Sequence, residues 1–174
     1  VVVFMGNKQN LFANDAGSVQ AAAMSPRYGS IPVDMANNNY SFQVGIEAYN
    51  FGSADNTINV NATIDGPGGN IYNETVSSLV VSGDTLPIFN GNPSEFPLVE
   101  PGTWDEGDYT LTYTISIEGQ TDESDFDNVF VRNFSVTSML SLAGQENGSL
   151  KVNSFPSNAT SSYQTCMMLQ DVYP

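Results

Sequence analysis

The sequence predicts an all-β fold, specifically an antiparallel β-sandwich of the immunoglobulin type. Three observations support this prediction. Apolar and polar side chains alternate along several segments, turn residues separate these segments at regular intervals, and no window shows a sustained helical period flanked by caps. The pattern yields about seven short strands, the number typical of an immunoglobulin-like sandwich.

The clearest alternation lies in residues 40–50, YSFQVGIEAYN, and in residues 56–66, NTINVNATIDG. Such a two-residue period indicates half-buried strands. The turn residues of NFGSADN between them predict that the two strands form a hairpin. The predicted inward-facing residues of the two strands are Phe42, Val44, Ile46, Ala48, Ile58, Val60, Ala62 and Ile64.

A second pair of strands is predicted later in the chain. Residues 109–117, YTLTYTISI, carry an apolar or aromatic side chain at every odd position, and residues 128–136, NVFVRNFSV, alternate in a similar way. We expect these two strands to pair across the acidic loop that joins them. The alternation slips near Arg132, which indicates a bulge.

Weaker strands are predicted at residues 70–81, NIYNETVSSLVV, and at residues 1–5, VVVFM. Residues 30–35, SIPVDM, are predicted to lie at the edge of a sheet, because Pro32 has no N–H group to donate to a strand on its far side.

The composition changes after Thr137 and divides the chain into three parts. Residues 1–40 are predicted to be leading strands, residues 41–137 the immunoglobulin-like sandwich, and residues 138–174 the start or a remnant of a following β domain. The last part is too short to bury its own core, so the alternative is that it adds strands to the sandwich. The abrupt start, VVVFMGN, indicates a piece of a longer polypeptide.

The charge of the chain restricts its partners. Four Lys and Arg residues against nineteen Asp and Glu residues give a net charge of −15. Such a charge repels phosphate backbones and anionic lipids, so we do not expect a nucleic-acid partner. No apolar run approaches the roughly 20 residues that span a bilayer. Only 13% of the residues are charged, so the surface consists largely of small polar side chains, and we expect an extracellular or cell-surface location.

The residue types also restrict the chemistry. The chain has no histidine, which excludes Ser-His-Asp triads, Cys-His pairs and histidine-based zinc sites. Two carboxylates are sufficient for glycoside hydrolysis, but the acidic residues here lie mainly in turns. We therefore predict that the chain is not an enzyme.

The single cysteine, Cys166, excludes a disulfide within the chain and is interpreted as a small buried apolar residue.

Residues 105–109, DEGDY, show the Asp-x-Gly-x-Tyr pattern of a tyrosine corner, in which a tyrosine at a strand entrance bonds to nearby backbone. This pattern predicts structural roles for Asp105 and Tyr109. Trp104, next to the same turn, is expected to cover the end of the core rather than to bind a ligand.

Three motifs in order carry a family resemblance across residues 41–137. A strand ending in Asn50 and Gly52 leads into a second alternating strand, PGTWDEGDYTLTYTIS follows, and TDESDFDNVFVRNFSVT closes the segment. This order resembles the adhesion-related immunoglobulin-like modules of bacterial surface proteins, of the CARDB type. It also resembles multidomain proteins that Gram-negative bacteria export by the type IX route. The resemblance implies a module of a larger secreted or cell-surface protein.

The acidic loop, TDESDFDN, has two interpretations. The preferred one is a solvated turn between two strands, because Asp and Asn side chains cap their own turns. The alternative is a Ca²⁺ site, since Ca²⁺ takes six to eight oxygen ligands. The spacing differs from that of an EF-hand loop. The candidate metal ligands are Asp122, Asp125, Asp127 and Asn128.

Two function classes remain open from the sequence. The first is a non-catalytic structural or adhesive module that spaces or presents neighbouring domains, or that contacts other surface proteins. The second is an ancillary domain of a secreted hydrolase, with carbohydrate as its ligand. Exposed coplanar aromatic residues on one sheet face would favour the second class.

Overall fold

The computed structural model describes residues 12–26, 28–38 and 40–141. Within these ranges the chain forms eight strands, one short α-helix and one 3-10 turn. The strands are β1 (Ala16–Gly17), β2 (Ser30–Pro32), β3 (Ile46–Asn50), β4 (Asn56–Gly66), β5 (Gly69–Val80), β6 (Thr85–Ile88), β7 (Gly107–Ile117) and β8 (Val129–Thr137). The helix is α1 (Val33–Ala36), and the 3-10 turn covers Gln20–Ala22.

The strands form two sheets that enclose one core, so the predicted all-β sandwich is confirmed. A three-stranded sheet has the order β1-β3-β6, and a five-stranded sheet has the order β2-β8-β7-β4-β5. Every pairing within them is antiparallel except that of β2 with β8. Of the edge segment predicted over residues 30–35, only β2 (Ser30–Pro32) is an edge strand, and the residues after Pro32 form α1 instead.

The centre of the core lies on the inner faces of β4 and β7. The register places apolar residues opposite each other, as in the pairs Ile58 with Ile117 and Ile64 with Leu111. Close cross-strand pairs of this kind are the main stabilising contacts of a sheet. Because β7 and β8 pair along most of their length, the loop between them is held at one end of the sandwich.

The predicted hairpin of β3 and β4 is wrong. β3 pairs with β1 and β6 in the smaller sheet, whereas β4 pairs with β5 and β7 in the larger one. The buried side chain of Asn50 fixes this corner, because its Nδ2 donates to the carbonyls of Ala54 at 2.9 Å and Val80 at 2.8 Å. Its Oδ1 accepts from the backbone N–H of Gly52 at 3.1 Å. These bonds direct the chain across to the other sheet.

The predicted bulge at Arg132 is also wrong. The register between β7 and β8 is unbroken there, and Arg132 points into the sandwich with only 4% of its surface exposed. Its guanidinium donates to the backbone carbonyls of Gln20, Ala23 and Val131. The alternation slips because a charged side chain occupies an inward position. A register shift occurs instead between β4 and β5, at Ile64 and Asp65.

The described part of residues 1–40 packs on the sandwich. Ala16 and Ile31 are fully buried in the core, and β1 and β2 each pair with a strand of the predicted sandwich. Beyond β8, Ser141 still pairs with Ser30 through two backbone hydrogen bonds of 3.1 and 3.0 Å. The strand predicted at residues 1–5, the β domain predicted from residue 138 onward and Cys166 lie outside the described residues, wholly or for the most part, and stay predictions.

Candidate functional site

The acidic loop between β7 and β8 lies beside the N-terminal segment 12–18. The backbone N–H of Glu123 donates to the carbonyl of Asn14 at 2.9 Å, and that of Ser18 donates to the carbonyl of Asp127 at 3.1 Å. The loop therefore does more than reverse the chain direction. It is the surface on which the segment that contains β1 is held.

The Glu123 side chain holds one end of this segment. Its Oε2 accepts hydrogen bonds from the backbone N–H groups of Ala13 at 2.7 Å and Asn14 at 2.8 Å. Hydrogen bonds to an ionised acceptor are about twice as strong as neutral ones. Glu123 thus binds the N–H groups of a stretch of backbone whose carbonyls, at Phe12, Ala13 and Asp15, accept from residues 51–54.

Asp122 connects the segment to the interior of the loop. Its Oδ2 accepts from the backbone N–H of Ala16 at 3.2 Å and from Nδ2 of Asn128 at 3.1 Å. Its Oδ1 accepts from the backbone N–H of Ser124 at 3.0 Å, which closes a tight turn within the loop. One carboxylate therefore orients both the loop and β1.

The Asp127 side chain packs on β1. A Cβ atom on Gly17 would lie 2.5 Å from Cγ of Asp127, so the carboxylate rests directly on the backbone of this glycine. Its Oδ1 is buried without a hydrogen-bond partner. Burial raises the pKa of the Asp127 carboxyl, and the negative charges of Asp15 and Asp122 raise this pKa further.

Asn128 is the most buried residue of the loop, with 8% of its surface exposed. Its backbone N–H donates to the carbonyl of Asp125 at 3.3 Å, and its carbonyl accepts from Ile115 at 2.8 Å, which ties the loop to β7. Its Nδ2 is bound to Asp122, as described above, whereas its Oδ1 is buried without a hydrogen-bond partner.

The structure brings three of the four predicted metal ligands, Asp122, Asp127 and Asn128, to one place. The fourth, Asp125, is exposed and contributes only its backbone carbonyl to the hydrogen bonds of the loop. Asp15 joins the cluster from the N-terminal segment and was missed in the sequence. Counting Asp, Glu, His and Cys alone, no group of three within the described ranges is arranged to hold a metal ion. The Ca²⁺ prediction therefore stays a prediction.

The predicted corner lies at the opposite end of the sandwich, where β7 begins. The Tyr109 hydroxyl donates to the backbone carbonyl of Asp105 at 2.8 Å, and Tyr109 itself is 2% exposed. Burial raises the pKa of this hydroxyl. A Cβ atom on Gly66 would lie 2.2 Å from the Tyr109 ring, so the turn after β4 needs a glycine to accommodate the tyrosine.

Trp104 is 2% exposed and closes this end of the core. Its ring contacts those of Tyr40, Phe42, Tyr109 and Phe134, at centroid distances of 5.3 to 6.2 Å. The side chain of Asn37 accepts from the Trp104 backbone N–H at 2.7 Å and donates to its carbonyl at 3.0 Å. These bonds tie the segment after α1 to the turn that precedes β7.

An open cleft lies beside this aromatic cluster. It has a volume of about 400 Å³, which is within the usual size range of small-ligand pockets. Its lining combines two aromatic side chains, one carboxylate and two small residues: Ala36, Tyr40, Glu100, Gly102 and Trp104.

The predicted signature of a carbohydrate-binding sheet face was a set of exposed coplanar aromatic residues. On the smaller sheet, the rings of Tyr49 and Phe51 are parallel to within 5°, with their centroids 5.3 Å apart. Each ring covers part of the other, so the pair is a stack rather than a flat platform. The Tyr49 hydroxyl is bound to Oε2 of Glu47 at 2.8 Å.

The centre of the outer face of the larger sheet carries no charged side chain. We call this surface the neutral face and define it by three rows of residues that lie opposite one another across the strands. These rows are Ser77, Asn59 and Ser116; Thr75, Asn61, Thr114 and Val129; and Asn73, Thr63, Thr112 and Val131. Leu79, at its border, is 68% exposed, Val129 is 55% exposed and Val131 is 38% exposed.

Among the described residues, no helix is long and apolar enough to cross a membrane.

Two solved structures are similar to this chain. One is the crystal structure of the CARDB domain of the PF1109 protein from Pyrococcus furiosus, in complex with di-metal ions; it is 20% identical, with a TM-score of 0.43, and the match covers 78% of this chain and 100% of that chain. The other is a solution NMR structure of the same domain, 18% identical, with a TM-score of 0.46 and coverage of 74% and 100%.

These structures are CARDB domains, the type of module that the sequence motifs resemble. At this distance the likeness carries no function over to the present chain. No protein-family model matches the sequence. No curated protein matches it either.

Proposed function

We propose that this chain is a non-catalytic β-sandwich module of a secreted or cell-surface protein. It spaces or presents neighbouring domains of its polypeptide and contacts them, or other surface proteins, through the neutral face. The type IX route is the export pathway that the sequence resemblance suggests. The observation that carries the proposal is the neutral face itself, which is free of charge at its centre in a chain with a net charge of −15.

Electrostatics explains why this face is suited to contact. Acidic residues elsewhere repel another acidic module at short range, because charges interact over about 8 Å at physiological ionic strength. Burying the neutral face removes no charge from water, so it avoids the main desolvation cost of association. The exposed side chains of Leu79, Val129 and Val131 add apolar area to the contact.

The asparagine and threonine side chains of the face are already held in place. Nδ2 of Asn61 donates to Oδ1 of Asn73 at 2.8 Å and lies 2.9 Å from Oγ1 of Thr75. Side chains ordered in this way lose little conformational freedom when a partner binds. The face is thus a preorganised surface on the longest strands of the sandwich.

Introduced charges test this proposal. The double variant Ser77→Glu, Thr114→Glu places two carboxylates on the neutral face. Its matched control, Ser53→Glu, Thr103→Glu, adds the same charge at exposed positions elsewhere. We would measure, by analytical ultracentrifugation, the self-association of the chain and its association with the adjoining domains of its polypeptide.

We expect the neutral-face variant to weaken association at least about tenfold, which corresponds to about 1.4 kcal/mol, and the control to leave it unchanged. Equal weakening by both variants would mean that net charge, not this face, governs the contact. If the native chain associates neither with itself nor with its neighbours, the proposed contact role is wrong.

A second candidate function is that of an ancillary carbohydrate-binding domain, which the cleft beside Trp104 favours. In this cleft the half-buried Tyr40 is the ring available to stack on a sugar and Glu100 is the carboxylate available to bind its hydroxyls, whereas the buried Trp104 lies behind them. Trp104 is the only tryptophan of the chain, so its fluorescence reports directly on this cleft. Titration with neutral oligosaccharides should change this fluorescence in the native chain and much less in Glu100→Gln. An unchanged spectrum at saturation would rule this candidate out.

A further inference from the structure

The cluster formed by the acidic loop and β1 contains two buried oxygen atoms that lack a donor. They are Oδ1 of Asp127 and Oδ1 of Asn128, on consecutive residues. A buried acceptor without a donor destabilises a fold, so such atoms in a native structure require an explanation. These two oxygen atoms accept no hydrogen bond, either within the turn or from the N-terminal segment.

Asn128 is the more informative of the two. It is more than nine-tenths buried, since only 8% of its surface is exposed. The bond of 3.1 Å from its Nδ2 to Oδ2 of Asp122 fixes the planar carboxamide inside the acidic cluster. Its oxygen is buried beside this acidic cluster without a donor, and a cation is one kind of ligand that satisfies such an acceptor.

The negative charges of the cluster also favour a positive ligand. The carboxylates of Asp122 and Asp127 both lie against the N-terminal segment, at Ala16 and Gly17, directly after Asp15. Among residues 12–26, 28–38 and 40–141, the only basic side chain is Arg132. Its donors are bound to the carbonyls of Gln20, Ala23 and Val131. Within these ranges, no protein cation is available to neutralise the cluster.

We propose that the cluster binds one Ca²⁺ ion through the carboxylates of Asp122 and Asp127 and the amide oxygen of Asn128, with Asp15 adding negative charge nearby. The ion then ties the segment that contains β1 to the loop between β7 and β8. Only two of these three ligands are carboxylates and the third is an amide oxygen, which agrees with the absence, from the described ranges, of any trio of Asp, Glu, His or Cys arranged around a metal ion.

The ligand set favours Ca²⁺ over Mg²⁺. Ca²⁺ accepts amide, carbonyl and carboxylate oxygens in irregular arrangements, whereas Mg²⁺ requires near-octahedral geometry and retains most of its water. Asp122 accepts three hydrogen bonds, from Ala16, Asn128 and Ser124, and keeps one acceptor position on Oδ1 for the ion, because a carboxylate offers about four such positions. The site therefore forms without breaking the hydrogen bonds that position β1.

Thermal unfolding of the full chain tests the proposal, with a chelator, with excess CaCl₂ and with excess MgCl₂. The informative variant is Asp127→Asn, which keeps the size of the side chain. The matched control is Asp125→Asn, which removes the same charge from an exposed position in the same loop. Calorimetric titration with CaCl₂ gives the stoichiometry. Circular dichroism in chelator establishes that each variant is folded.

We expect CaCl₂ to raise the Tm of the native chain and of Asp125→Asn by about 5 °C or more, with one ion bound per chain, and MgCl₂ to have much less effect. Asp127→Asn should lose most of this shift. If it does not fold, Asn128→Asp provides the second test: a further carboxylate ligand should lower the Tm in chelator and enlarge the Ca²⁺ shift. The proposal would be overturned if the scans of the native chain in CaCl₂ and in chelator were superimposable. It would also be overturned if Asp127→Asn and Asp125→Asn lost the Ca²⁺-induced rise in Tm to the same extent.

Discussion

Glu123 and Asn14 are joined in both directions. Oε2 of Glu123 accepts from the backbone N–H of Asn14 at 2.8 Å, and the backbone N–H of Glu123 donates to the carbonyl of Asn14 at 2.9 Å. The two residues are far apart in the chain, so this pair closes a long loop. It holds one side of the N-terminal segment on the sandwich, while the carbonyls of that segment accept from residues 51–54 on the other side.

Replacing Glu123 by Ala should release this segment. The variant loses two charge-assisted bonds at an exposed position, so we expect a loss of about 1 kcal/mol in the free energy of unfolding. Hydrogen exchange at Ala13 and Asn14 should become much faster, because their N–H groups lose their acceptor. Glu118→Ala, in the same loop, is the control and should change neither quantity. Unchanged exchange in Glu123→Ala would contradict the proposed role.

Removal of the Tyr109 hydroxyl should destabilise the opposite end of the sandwich. In Tyr109→Phe the buried ring remains but the carbonyl of Asp105 loses its donor, so we expect a cost of about 1 to 3 kcal/mol in urea unfolding. Tyr49→Phe is the matched control, because it loses a bond to a side chain at the surface, and its effect should be close to zero. A neutral result for Tyr109→Phe would show that the corner bond does not contribute.

Arg132 should be among the most sensitive residues of β8. Arg132→Met keeps an apolar stem of similar length but leaves the carbonyls of Gln20 and Ala23 without their donor. We expect a loss of about 2 to 4 kcal/mol in the free energy of unfolding. Arg132→Lys retains the charge and reaches fewer carbonyls, so its loss should be smaller. If both variants unfold like the native chain, the buried guanidinium has no structural role.

The strands were predictable from the sequence, but their partners were not. β4 and β7 alternate over their whole length, and burial follows that alternation at each inward position. The same pattern is compatible with any partner, so β3 and β4 were wrongly joined as a hairpin. The hydrogen bonds of Asn50 direct β3 and β4 to different sheets. From the sequence alone, an asparagine at this position indicates only a turn.

The site was predictable only where its residues are neighbours in the chain. Asp122, Asp127 and Asn128 lie in one short loop, and their oxygen atoms suggested a cluster. Asp15 belongs to the N-terminal segment, which is distant from the acidic loop in the sequence. Nothing in the residues around Asp15 indicates that it lies beside this loop. The inward position of Arg132 was interpreted as a bulge for a related reason: its carbonyl acceptors at Gln20 and Ala23 are distant in the sequence.

The pH dependence of stability should reveal the strain at Asp127. The fold raises the pKa of this carboxyl, chiefly through burial, so the native state binds its proton more tightly than the unfolded state does. By linkage, Asp127 adds stability at low pH, and this contribution is lost as the pH rises through the native pKa. In chelator at neutral pH, the ionised Asp127 therefore destabilises the fold.

Asp127→Asn should accordingly be more stable than the native chain in chelator at neutral pH. The difference should shrink as the pH falls toward about 4, the usual range of an aspartate carboxyl, because the native side chain then becomes neutral as well. Urea unfolding at a series of pH values, with Asp125→Asn as control, measures this difference. A variant that is less stable than the native chain at neutral pH, or a difference that does not change with pH, would contradict the assignment of a strained charge to Asp127.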